Sequence, residues 1–492
     1  MRALLAVLLL LPVAGFSQAG QMVALPGQSP LVNLRFVFLT GAASDPAAQP
    51  GLASLTASML ARGGSSKLAY REIVDAMFPM ATSIHSQVDK EMTTFSAVTH
   101  VDNLDAFYAL FRAMLLEPGW RTEDLKRLRD NTINGLRVNL RGNNDEELGK
   151  EVLYSKLFGG HLYGHHNLGT VSSLEKLTIG DLQGFYKNQY TQANLIIGLA
   201  GGYPKEFLAR VQKDFASLPK GTPAASRARP APAPIQGLHL EMVEKNTRSV
   251  AISFGFPLGV KRGDPDFIPL LVMQSWLGQH RSSGGRLYDR IREARGLNYG
   301  DYAYIEYFPS GMFQFEPSPN LARAQQIFQI WIRPLEPPTA HFGFRLALYE
   351  LDRTIKTGLS EEEFQRTRSF LGTYVNLLTK TKQAELGYAI DSLYYRIPSY
   401  NQYLKDGLAK LTRDDVNQAI RKHLQTSNMQ IVMVASGCEE LKKRLLANEV
   451  SPMKYNAAKP DDILREDKIV EAWKIPLEAA NVHITPVEKV FE

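Results

Sequence analysis

The chain has 492 residues, 44% hydrophobic and 22% charged, with 56 Lys and Arg against 50 Asp and Glu. These values sit near soluble globular averages and exclude disorder, collagen and coiled coil as the main architecture. A net charge of +6 without a run of five basic residues gives nucleic-acid binding no support, and the single cysteine, Cys438, excludes an intramolecular disulfide and any cysteine-built metal site.

In chain order, Met1-Arg2 precedes an apolar run over residues 3–16, followed by Ser17, Gln18 and Ala19. A basic start, a short apolar stretch and a small-residue exit predict a secretory signal peptide over residues 1–19. The expected location is outside the cytoplasm, in the periplasm of a Gram-negative bacterium. No later segment holds 18 uninterrupted apolar residues, so no membrane span is expected.

Residues 31–40 predict a strand with partial alternation. A loop with Asp45-Pro46 leads into an apolar helix over residues 51–61, closed by Gly63-Gly64. Further on, Thr178 caps a helix with Asp181 three residues later; a polar turn holding Asn194 and a β-rich strand follow.

Residues 220–237 (KGTPAASRARPAPAPIQG) break the composition. Pro, Ala and small polar residues without an apolar period read as a semi-rigid linker. The implied division is a domain over residues 20–219, the linker at 220–237, a domain over 238–450 and an extension at 451–492.

The second half repeats the first. A strand over residues 248–257, a loop with Asp264-Pro265, a helix over 267–277 and the pair Gly284-Gly285 follow in the same order. Thr178 and Thr412, Asp181 and Asp415, and Asn194 and Asn428 are each 234 residues apart. One constant offset with matching chemistry indicates a duplicated unit. The expected fold is two homologous α+β domains, each a mostly antiparallel sheet with helices packed on it.

Chemical motifs are sparse. The chain contains no His-Glu-x-x-His, no His-x-x-Glu-His and no Gly-x-Ser-x-Gly. His161, His165 and His166 cluster among Gly159, Gly160, Gly164 and Gly169 with no carboxylate between them. Two readings stand: loop histidines capping backbone, or an active enzyme built on these three side chains. Cys438 ends a strand-like run and reads as an inert buried thiol. Residues 280–299 are the most informative segment. A Gly-containing loop leads into a short basic helix, a strand over residues 301–308 follows, and Arg292 precedes Tyr299 by seven residues. A guanidinium and a phenol brought together across that turn could both donate to a carbonyl or an oxyanion; ordinary surface and strand packing is the other reading.

At this segment the chain resembles the pitrilysin/insulinase family of zinc peptidases, in the two-domain form that includes mitochondrial processing peptidase and the respiratory core proteins. The resemblance covers nearly the whole mature chain. Gly51-Leu52-Ala53 opens the family's first active-site helix, and the family's His-x-x-Glu-His falls on Ser54-Leu55-Thr56-Ala57-Ser58. The third ligand, a Glu about 77 residues beyond the second His, falls on Gly135. Gly160, His161, Gly164, Leu168, Gly169 and Thr170 resemble the loop that follows. Arg292 and Tyr299 match the family's Arg/Tyr pair, which implies contact with bound peptide and its transition state. Gly284 and Gly285 lie where the noncatalytic processing-peptidase subunit carries its glycine-rich loop, shorter here, which implies substrate contact.

The departure decides the expected function. Ser54, Ala57, Ser58 and Gly135 replace every zinc ligand and the general base, so the Lewis acid and the activated water are lost together. The resemblance implies a noncatalytic subunit of a heterodimeric metallopeptidase. It would hold no cofactor and would lend Arg292 and Tyr299 to a peptide bound by a paralogous zinc-bearing partner with an intact His-x-x-Glu-His. The alternative is a noncatalytic scaffold or peptide-binding protein like the respiratory core proteins.

Overall fold

The computed structural model describes residues 21–223 and 230–492. The expected signal peptide and residues 224–229 of the linker lie outside the described residues.

The first sheet holds β1 (Gln21–Pro26), β2 (Leu31–Phe38), β3 (His85–Val88), β4 (Thr93–His100) and β5 (Leu195–Gly201), in the order β1-β5-β2-β4-β3. The second holds β6 (Leu238–Glu244), β7 (Val250–Leu258), β8 (Asp301–Tyr304), β9 (Gln326–Leu335), β10 (Met429–Ala435) and β11 (Leu477–Pro486), in the order β11-β6-β10-β7-β9-β8. Without β11 the two orders superimpose strand for strand. The parallel pairs correspond as well, β1 with β5 and β6 with β10; the remaining pairs inside the repeat are antiparallel. The duplication read from a constant offset is thus a duplication of topology. β5 begins at Leu195 and β10 at Met429, again 234 residues apart.

Local chemistry fixes the matching elements. The helices Ile179–Gln189 and Arg413–His423 each start on a complete capping box, Thr178 with Asp181 and Thr412 with Asp415. Each box satisfies two of the amide donors that a helix start leaves open. β5 and β10 are buried along their whole length. They read as continuous apolar runs because both faces of each central strand are covered.

One face of each sheet packs on helices of its own domain. Phe36, Phe95, Phe111 and Leu55 belong to the first core; Phe254, Phe328, Phe344 and Ile431 belong to the second. The other face is covered from across the linker. The helix Asp145–Leu157 of the first half lies on β7 and β10, with Leu148, Val152 and Tyr154 against Val243, Ala251, Val432 and Val434. The helix Lys382–Tyr395 of the second half lies on β1, β2 and β5, with Leu386 and Ile390 against Val37, Ile196 and Ala200. Gly198 admits that helix, since a Cβ there would sit 2.9 Å from Ile390 Cδ1. Each domain completes the other, so neither sheet has both faces covered alone.

Two elements differ from expectation. The strand predicted over residues 301–308 stops at Tyr304, and Cys438 starts the helix Cys438–Leu446 rather than ending a strand. The segment after residue 450 adds β11 beside β6 and the helix Asp461–Glu471 against the helix Pro337–Thr357. No helix among the described residues is long and apolar enough to cross a membrane.

Candidate functional site

Ser54, Ala57 and Ser58 lie on the helix Leu52–Arg62, whose residues 52–61 are all buried. Asp45 holds its start, accepting from the backbone amides of Gly51 at 2.8 Å and Ala53 at 2.7 Å. Arg62 Nη2 lies 3.4 Å from Ser58 Oγ. Gly135 opens the π-helical segment Gly135–Gly142, and a Cβ there would meet nothing within 4 Å. It faces a cavity of about 290 Å³ that Glu147, Glu151, His166 and Tyr307 also line. Ser54 and Ser58 do not line that cavity. Two serine hydroxyls, an alanine and a glycine do not make the donor set zinc requires. Among the described residues no group of three His, Cys, Asp or Glu is arranged to hold a metal ion. The zinc of the resembled family does not fit this chain.

The three loop histidines are committed elsewhere. His161 Nδ1 accepts from the Tyr163 amide and His166 Nδ1 from the Leu168 amide, both at 3.1 Å. His165 Nε2 lies 3.1 Å from Asp45 Oδ2. Burial, with Lys90 and His165 nearby, pushes the His166 imidazole down to about 3, so it is neutral at pH 7.

A buried polar seam that no sequence motif marks lies beside this region. The turn Asp89-Lys90-Glu91 enters the interface between the domains. Arg323 Nε donates to Asp89 Oδ2 at 2.7 Å; Glu91 accepts from Tyr163 and, at 2.8 Å, from Tyr394. Lys150 Nζ donates to the Phe308 carbonyl at 2.6 Å, and Tyr307 donates to Glu151 at 3.2 Å. Burial and the neighbouring Glu147 hold the Glu151 carboxyl above the usual carboxylate range. In sequence, Asp89-Lys90-Glu91 reads as a solvated turn; no spacing signal pairs it with residues more than 200 positions away.

Arg292 lies on the π-helical segment Tyr288–Glu293. Its Nη1 donates to the Tyr288 hydroxyl at 2.6 Å and pairs with Glu293. Tyr299 is 78% exposed. Among the described residues no hydrogen bond joins Arg292 to Tyr299 directly. Gly284 is exposed and Gly285 buried, in the turn ahead of that segment. His280, at the start of the turn, has Nε2 2.8 Å from the Gln314 carbonyl and Nδ1 2.7 Å from the Tyr304 hydroxyl. A neutral ring donates through Nε2 and accepts through Nδ1 there.

Comparison with known proteins agrees with this geometry. Residues 176–371 match a family model described as "Peptidase M16 inactive domain". A Bacillus subtilis protein named "Uncharacterized zinc protease YmxG" is 24% identical over 280 residues, 56% of this chain and 66% of that protein. The Helicobacter pylori "Non-peptidase homolog YmxG" is 21% identical over 415 residues, 83% of this chain and 89% of that protein. The fold matches the crystal structure of a peptidase M16 inactive domain from Pseudomonas fluorescens, with a TM-score of 0.74 and 23% identity over 85% of this chain and 96% of that one. With two matching sheets, no zinc-ligand set on the first-domain helix and these relatives, the chain shares the two-domain fold of the peptidase M16 inactive-domain structure, is similar to peptidase M16 homologues of the pitrilysin/insulinase type, and lacks the His-x-x-Glu-His motif.

Proposed function

We propose that this chain is the noncatalytic subunit of an exported heterodimeric zinc metallopeptidase. Its partner is a paralogous subunit with an intact His-x-x-Glu-His, and its substrate is a peptide. One contrast carries the reading: the zinc positions are chemically empty at Ser54, Ala57, Ser58 and Gly135, while Arg292 and Tyr299 persist on the second domain. Tyr299 supports it further, because a large aromatic side chain at 78% exposure with no side-chain hydrogen bond among the described residues is available to another molecule.

In this reading Arg292 and Tyr299 donate to the peptide carbonyl as its oxygen gains negative charge. The partner's site supplies the metal chemistry. Gly284 and Gly285 border the approach of the peptide backbone. Loss of one such donor is expected to cost about 10²–10³ in rate. The test is steady-state peptide cleavage by the reconstituted pair with Arg292→Ala and Tyr299→Phe; unchanged rates in both variants discard the role in trans. Export rests on the apolar run over residues 3–16, and N-terminal sequencing of protein from the periplasmic fraction checks it.

A further inference from the structure

The segment that presents Arg292 is not held by its own domain core alone. Arg286, Arg290 and Arg295 project inward from it. Arg286 Nε donates to Glu350 at 2.6 Å, and Arg290 Nε to the same carboxylate at 3.2 Å. Glu350 lies on the helix Pro337–Thr357 and is fully buried. Further ion pairs run to the helix Asp461–Glu471, beyond residue 450. Glu466 takes Arg290, Arg295 at 2.7 Å and Arg353 at 2.9 Å. Asp467 takes Arg295 Nε at 2.8 Å and the Tyr455 hydroxyl at 2.6 Å. Lys459 Nζ donates to the Ala294 carbonyl at 2.7 Å. Arg295 closes the turn on itself through the Arg290 carbonyl at 2.8 Å.

The arrangement sorts the four arginines. Those at 286, 290 and 295 are engaged inward. Arg292, between them, pairs among the described residues with Tyr288 and Glu293. The backbone here is π-helical, with Ala294 N on Asp289 O at 2.9 Å, a geometry that short chains rarely keep without outside support. The Arg295 side chain has no solvent exposure, and a buried guanidinium deprived of its carboxylates is strongly unfavourable, so the segment must reorganise when they are removed.

We propose that Glu466 and Asp467 are positioning residues: the segment after residue 450 is a brace that locks the turn over residues 290–295 and thereby aims Arg292 outward. The catalytic consequence rests on the function proposed above; the brace itself does not. The test uses the full chain, by hydrogen exchange read by mass spectrometry, and the reconstituted pair on an unstructured fluorogenic peptide. Glu466→Gln and Asp467→Asn are each expected to raise exchange across residues 286–299 at least about tenfold, the factor that loss of one charge-assisted hydrogen bond commands, with β6, β7 and β10 unchanged. In the pair, kcat falls about tenfold at constant KM, and Glu466→Asp restores most of it.

Unchanged exchange over 286–299 in both variants overturns the brace. If both variants unfold globally, Lys459→Ala, which strands no buried charge, decides: a rise of about two- to threefold confined to 286–299 supports the brace, and no rise overturns it. Arg292→Ala leaves exchange of the segment unaltered. If that variant also leaves cleavage unaltered, the trans role fails while the brace stands.

Discussion

Arg323, in the loop before β9, closes on Asp89, at the β3–β4 turn, through two hydrogen bonds that join the domains in a pair 2% and 0% exposed. The Tyr307 ring lies 3.5 Å beneath the guanidinium. Buried pairs of this kind are costly to break singly, because the survivor is left charged and desolvated. Asp89→Ala is expected to destabilise the chain by about 3–5 kcal/mol, measured by urea unfolding. Asp89→Leu with Arg323→Met should recover much of that loss; a double variant as unstable as the single would show that the pair itself, and not the stranded charge, supplies the stability.

Gly51 and Gly169 face each other where the helix Leu52–Arg62 meets the loop after the histidines. Gly51 has φ +95° and its Cβ would lie 2.5 Å from the Leu168 carbonyl; Gly169 has φ +84° and its Cβ would lie 2.2 Å from the Pro50 carbonyl. Gly169→Ala meets backbone on one side and left-handed strain on the other. A loss of more than about 2 kcal/mol is expected in thermal or urea unfolding. Gly184→Ala, inside the helix Ile179–Gln189 with nothing within 4 Å, should instead stabilise by about 0.5–1 kcal/mol.

Acid should weaken the fold through its buried imidazoles. Burial holds His280 down to about 4; Arg281, Lys150 and Arg333 add to the effect, against the opposing hydrogen bond to Gln314. The unfolded chain takes up this proton near pH 6.5 and the folded chain only near 4. The contribution is therefore complete above pH 6.5 and is lost as pH falls from 6.5 to 4, by at most about 3 kcal/mol. His166 acts with the same sign. Urea midpoints at pH 7.5, 6 and 5 should fall more steeply in the parent than in His280→Gln. Parallel slopes would remove His280 from the explanation.

Metal should be irrelevant to the chain alone. With serine, alanine and glycine at the ligand positions, elemental analysis is expected to give fewer than about 0.1 zinc per chain, and EDTA should leave the thermal midpoint unmoved. Stoichiometric zinc lost on His165→Ala would revive a histidine-built site.

Much of the fold is legible in the amino-acid sequence. Thr178-x-x-Asp181 and Thr412-x-x-Asp415 announce helix starts because the capping chemistry lies within four residues. The apolar runs of β5 and β10 announce central strands for the same local reason. The Arg292–Tyr299 spacing carries less, since seven residues of separation do not set which way a guanidinium turns; here it turns to Tyr288 and Glu293.

By itself the sequence determined the duplication, the helix starts and the absence of zinc ligands, because each depends on residue type at short or constant separation. Only the tertiary structure decided that Asp145–Leu157 and Lys382–Tyr395 each cover the other domain's sheet, that Asp89 and Arg323 meet, and that Glu466 collects three arginines. Charged side chains in a linear chain look solvated. They become buried partners only when folding brings opposite charges from distant segments to the same point, and their desolvation is then offset by pairing.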